Sequence, residues 1–172
     1  SPGGAAIKPP FEGIELENIH TFRGPEDTQA VYDCMQNSKK AVVVGGGYIG
    51  LEVAEQLKER GLDVTVLQRG KHPMAHLDWD MSIRIEDEME KQNVHFLSEE
   101  VITETKGEKT LKSVITSKGN VLSADLYILA TGVRPNTQLA ESIGVKLGET
   151  GAIATDTTME TNIEGVYAVG DV

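Results

Sequence analysis

Gly45, Gly47 and Gly50 follow the apolar run "AVVV" at 41–44 and open the stretch "YIGLEVAEQLKER". The spacing is Gly-x-Gly-x-x-Gly at the point where a strand would give way to a helix, the context in which the pattern carries chemistry. The first glycine permits a tight turn, the second lets a pyrophosphate approach the backbone, and the third lets helix and strand pack closely. Phosphates would then meet backbone N–H groups and the positive end of the helix dipole. Gly46 and Ile49 complete the turn and join the candidate contacts. The plain alternative is a glycine-rich turn that holds nothing.

Further candidates surround this turn. The end of the second strand, about 20 residues on, reads the adenosine ribose in such folds. Gln68 stands there, followed by Arg69. An acid would accept from both ribose hydroxyls and repel a 2′-phosphate. Gln bonds a hydroxyl but repels nothing, and Arg69 could pair with a phosphate. The plain alternative is that both are simply solvated loop residues. Tyr48 and Glu52 lie four apart on one side of the helix start, where an acid also suits the helix dipole. Tyr48 reads equally as a surface aromatic. A self-contained dehydrogenase needs its own acid or base. Tyr32, Tyr48, Tyr127 and Tyr167 all lack a lysine four residues later. His72 and His76 are four apart near Asp78 and Asp80, but Pro73 opposes a helix there, so a solvated loop is expected rather than a metal site.

The elements that must position these residues follow from the apolar pattern. Residues 1–24 are rich in proline and glycine and should be extended and poor in regular structure. Residues 25–36 start with Pro25 and acids and should be a short helix, with Cys34 in its packed face. Two non-alternating strands, 41–44 and "DVTVLQ", bracket the helix that Gly61 stops. "SIRIEDEMEKQ" spaces Met81, Ile85 and Met89 helically, and "VHFL" is a third strand. Strand–helix–strand–helix–strand means two βαβ units and a parallel sheet. "VITETK", "LKSVITS" and "NVLSA" then form an antiparallel meander, and "DLYILA" returns to the parallel sheet. "GAIATD" and "GVYAVGDV", in 151–172, should be two more short strands.

The chain has 172 residues, 39% hydrophobic and 25% charged, with a net charge of −11. That field repels nucleic acid and anionic membranes, so neither is an expected partner. It also opposes a dinucleotide, so a site must work through local dipoles. A single cysteine excludes an internal disulfide or a zinc cluster and suits a reducing, cytoplasmic setting. No apolar run approaches the ~20 residues of a membrane span.

"GGGYIGLEVAEQL", "VTVLQRG", "ATGVRPNT" and "TNIEGVYAVGDV" together resemble the pyridine nucleotide–disulfide oxidoreductases, over the whole of 1–172 and in the family's order. "SPGG" with "PPFEGIELENIHTFR" resembles most the branch of coenzyme A-disulfide reductases, NADH oxidases and NADH peroxidases. The resemblance implies an α/β fold with a Rossmann-like parallel sheet, helices on both faces, and the meander in place of one crossover. It implies an NAD(P)H-binding domain, 23–150, between an exit segment of an FAD domain, 1–22, and a re-entry segment, 151–172. By the same resemblance Asp171, after Gly170, would bond the FAD ribityl chain. Gly132 would lie near nicotinamide and flavin, Glu52 would contact the nicotinamide end, and Tyr48 would cover the flavin. The implied cofactors are NAD(P)H here and FAD in the full-length protein, a homodimer formed through a further domain. The family's first glycine motif and its redox cysteine are expected upstream, since Cys34 has the wrong context. Gln68 departs from the acid usual at its position. Left open are the electron acceptor (disulfide, persulfide, peroxide, oxygen or a ferredoxin-like partner), an FAD role for the 45–50 glycines, and a nucleotide-sensing module without turnover.

Overall fold

The computed structural model describes residues 2–172. In chain order the elements are β1 (Gly4–Ala6), β2 (Ile19–Thr21), α1 (Pro25–Met35), β3 (Lys40–Val44), α2 (Tyr48–Glu59), β4 (Asp63–Gln68), α3 (Trp79–Lys91) and β5 (His95–Ser98). There follow β6 (Ile102–Gly107), β7 (Leu111–Thr116), β8 (Val121–Ser123), β9 (Leu126–Leu129), β10 (Val133–Pro135) and α4 (Gln138–Ser142). They divide into two compact units. One is Lys8–Gly132; the other joins the residues up to Ile7 with Val133–Val172.

The larger unit is built on a five-stranded sheet, ordered β2-β9-β3-β4-β5. Every neighbouring pair in it is parallel. The strands carry β-branched and aliphatic residues on both faces because both are covered. Val43, Val64, Val66 and Ile128 are fully buried, each worth about 1.5–3 kcal/mol by transfer estimates. Local signals set the helix ends. Pro25 opens α1, and the Asp27 carboxylate accepts from the N–H groups of Arg23 and Gly24 at 2.8 and 3.3 Å. Gly61, at φ +88°, follows the end of α2 in the left-handed conformation that favours glycine.

Parallel connections are right-handed, so the direction of each step across the sheet fixes the face its connection covers. The steps β2 to β3, β3 to β4 and β4 to β5 all run the same way. They put α1, α2 and α3 on one face, where Val31, Val53, Ala54, Leu57 and Met89 join Val43, Val64 and Ile128 in one core. The step from β5 back to β9 runs the opposite way, and its connection, the meander β6-β7-β8, covers the other face. There Leu111 and Val114 pack with Val42 and Tyr127. The Rossmann-like α/β class holds, with one refinement: these helices occupy one face and the meander the other.

Residues 1–24 are poor in regular structure but hold two short strands, β2 at the edge of the parallel sheet and β1 paired with β10. The C-terminal stretch differs from expectation. Residues 151–172 form no extended strands; isolated bridges join Leu147 to Ile153 and Glu160 to Tyr167. Turn chemistry overrides the apolar pattern there. Asp156 Oδ1 accepts from the Thr158 N–H and hydroxyl and from the Glu160 N–H, and Met159 and Gly165 take positive φ.

Candidate nucleotide-binding site

The glycine turn leaves the carboxyl end of β3, between the ends of β4 and β9. Gly45 N–H donates to the Leu67 carbonyl at 2.8 Å, and Ala130 N–H donates to the Val44 carbonyl at 2.8 Å. The connection that leaves β3 covers one face of the sheet and the one that arrives at β9 covers the other, so the turn lies at a topological switch point, the usual crevice for ligands in open α/β sheets.

The three glycines of the motif lack side chains for different reasons. A Cβ at Gly45 would lie 2.2 Å from the Ala130 carbonyl oxygen, and φ there is +113°. A Cβ at Gly50 would lie 1.9 Å from the Gly45 carbonyl oxygen. The protein's own packing therefore excludes side chains at both. A Cβ at Gly47 would meet nothing within 4 Å, and its φ of −87° suits any residue. Gly47 is also the N-cap of α2 and supplies no capping side chain. The open space is at the helix terminus whose dipole and N–H groups favour an anion.

The loop after β4 closes over the turn. Met74 N–H donates to the Gly46 carbonyl at 2.8 Å, with Met74 at φ 51°. Gln68 does not project freely. Its Oε1 accepts from Gly46 N–H at 3.2 Å and its Nε2 donates to the His72 carbonyl at 3.4 Å. Arg69 next to it is exposed. His72 Nδ1 lies 2.7 Å from Glu86 on α3. Tyr48, 61% exposed, holds its hydroxyl 2.8 Å from His76 Nε2. The two histidines thus have separate partners, and among the described residues no cluster of three His, Cys, Asp or Glu could hold a metal.

Ile49 and Glu52 lie on α2, both exposed. Gly132, at φ +109°, is two residues past the carbonyl that abuts Gly45. Gly170 and Asp171 are exposed residues of the smaller unit. Cys34 packs against the helix-side core, where burial pushes its thiol pKa up. Sequence reading missed His76 as the partner of Tyr48 and Ala130 as the wall behind Gly45. Both are contacts between residues far apart in the chain, for which the local pattern holds no signal.

The family model of pyridine nucleotide-disulphide oxidoreductases matches residues 1–172. The chain is 39% identical over 173 residues to the NAD(P)H sulfur oxidoreductase (CoA-dependent) of Pyrococcus abyssi, covering 99% of the chain and 38% of that protein. A solved NAD-dependent persulfide reductase from A. fulgidus matches with a TM-score of 0.93 at 35% identity, over 98% of this chain and 32% of that one. A water-forming NADH oxidase from Lactobacillus brevis, bound to NADH, matches with a TM-score of 0.85 at 31% identity, over 92% and 35%. The chain spans well under half the length of each. The glycine turn at a switch point, the vacancy at Gly47 and a match along the whole sequence converge, and the chain belongs to the pyridine nucleotide-disulphide oxidoreductase family.

Proposed function

We propose that this chain is the NAD(P)H-binding part of a flavin-dependent oxidoreductase. The observation that carries the reading is the space at Gly47, an absent side chain that the protein's own packing does not require. A pyrophosphate there would meet the first turn of α2, which offsets locally the field of a chain of net charge −11. The adenosine end would lie by the end of β4, beside Gln68 and Arg69. The nicotinamide end would run past Tyr48 and Glu52 toward Gly132. The relative from Lactobacillus brevis, which holds NADH, supports the ligand class.

Without an acid at position 68, and with an exposed Arg69 next to it, the site accepts both NADH and NADPH. In the full-length protein FAD supplies a two-electron acceptor for the nicotinamide hydride. Gly170 and Asp171 belong to segments on the flavin side. The terminal acceptor is a disulfide, a persulfide, a peroxide or oxygen. The full-length protein is a cytoplasmic homodimer; among the described residues no helix is long and apolar enough to cross a membrane.

Calorimetry on the chain with NADH, ADP-ribose and FAD tests this. NADH and ADP-ribose should bind in the roughly 1 μM–1 mM range spanned by enzyme KM values, and FAD should not compete with them. Uptake of FAD in their place would assign the turn to the flavin. No uptake of any of the three would refute a nucleotide site.

A further inference from the structure

We infer that Gln68 is a positioning residue for the glycine turn: its side-chain amide is spent on holding Gly46 to the loop after β4, so it shapes the pyrophosphate seat and does not read the adenosine ribose. The inference rests on the nucleotide-site reading above. The residue that ends the second strand is the usual reader of that ribose. In this chain its side chain is already engaged. Oε1 accepts from the Gly46 N–H at 3.2 Å, and Nε2 donates to the His72 carbonyl at 3.4 Å.

The two partners fix which end of the amide goes where. An N–H needs an acceptor and a carbonyl needs a donor, so only one of the two amide orientations serves both. A carboxylate could take the Gly46 N–H but would have nothing to donate to His72. Glutamine therefore suits this place as an acid does not. The backbone beneath it is fixed as well. The Gln68 carbonyl accepts from the Glu100 N–H at 3.1 Å, and Gln68 pairs in register with Ser98 of β5.

Gly46 is buried and is held by both of its backbone polar groups. Gln68 takes its N–H, and the Met74 N–H donates to its carbonyl at 2.8 Å. Both holds come from one stretch, 68–74, in which Pro73 and Met74 are buried. Gly45 before it is fixed by its bond to the Leu67 carbonyl. With Gly45 and Gly46 pinned, the peptide that leads into Gly47 has a set orientation, and so do the first N–H groups of α2. Those groups have no acceptor inside the helix, and they are the ones a pyrophosphate would use. Donors already in place spare a ligand the cost of ordering them. Discrimination at the ribose 2′ position then lies with the exposed Arg69 rather than with residue 68.

The test uses the chain with ADP and with 2′,3′-dideoxy-ADP, which share the pyrophosphate and differ in the ribose hydroxyls. Gln68→Met keeps the length of the side chain and removes both bonds; Gln68→Ala removes them with less bulk. Each should weaken both ligands by the same factor, about three- to tenfold for the loss of one or two neutral hydrogen bonds. Amide hydrogen exchange gives a second readout at a named atom. The Gly46 N–H should exchange at least about threefold faster in both variants, while the Gly45 N–H, held by Leu67, is unchanged. Gln68→Glu, which keeps an acceptor, should restore the protection of the Gly46 N–H. A loss confined to ADP would make Gln68 a ribose reader. That result, unchanged affinity for both ligands, unchanged Gly46 exchange, or no rescue by Gln68→Glu would each overturn the inference while leaving a nucleotide site in place. If the unaltered chain takes up neither ligand, the site reading falls and this inference with it.

Discussion

Gly47 and Gly50 occupy equivalent-looking places in one motif, yet packing excludes a side chain at Gly50 and leaves room for one at Gly47. Gly50 is required by the fold, because its Cβ would overlap the Gly45 carbonyl. Gly50→Ala should therefore destabilise the chain by about 1–3 kcal/mol or more through overpacking, read as a lower urea midpoint with an unchanged slope. An unchanged midpoint would mean that helix and turn are not packed as described. Arg69 makes a different case. It is exposed, so a bond to a 2′-phosphate would be weakened by solvent and salt. Arg69→Ala should reduce NADPH affinity by roughly three- to tenfold at low salt and leave NADH affinity nearly unchanged. Equal losses for both coenzymes would place residue 69 away from the ribose.

At the scale of elements, much of the fold was legible because local signals were strong. Pro25, the four-residue steps in α2 and α3 and the uninterrupted apolar strands all mark their elements. What was not legible depends on partners far along the chain. β2 is three residues long, and its place in the sheet is fixed by pairing with β9, Ile19 opposite Tyr127. The face taken by the helices follows from strand order, which no local pattern encodes. The same holds for the carboxylates that join elements. Glu100, buried at the edge of the meander, accepts from the Thr116 hydroxyl and from the Asn120 amide at 2.9 and 3.0 Å. Burial pushes its carboxyl up, but these bonds and the charge of Lys118 bring it below the ordinary 4.5. Asp125 takes the N–H groups of Lys39 and Lys40 at the start of β3, and those two bonds hold its carboxyl below 3.8. For a lowered carboxyl pKa, the stabilisation is complete above the unfolded-state value and is lost as pH falls through the folded-state value. The thermal midpoint should thus fall from about pH 4.5 downward. Glu100→Gln should flatten that fall while lowering the midpoint at neutral pH. An identical acid profile in the variant would remove Glu100 from the account.

For the whole molecule, the sequence resemblance named the family, and the structure supplied the packing reason for two of its glycines, Gly45 and Gly50. The larger unit has a core on both faces of its sheet. In the smaller unit, apolar side chains such as Leu139 and Val169 remain largely exposed, at 70% and 71%. The open space at Gly47 is the proposed seat of a pyrophosphate. The most direct test is calorimetric titration of NADH into the unaltered chain and into Gly47→Val, with circular dichroism to follow the fold. Because a side chain at 47 has room in the protein and none beside a bound pyrophosphate, the variant should keep its fold and midpoint yet lose NADH affinity by more than about a hundredfold, or at least about 2.7 kcal/mol. A folded Gly47→Val chain that binds NADH as tightly as the original would contradict the account.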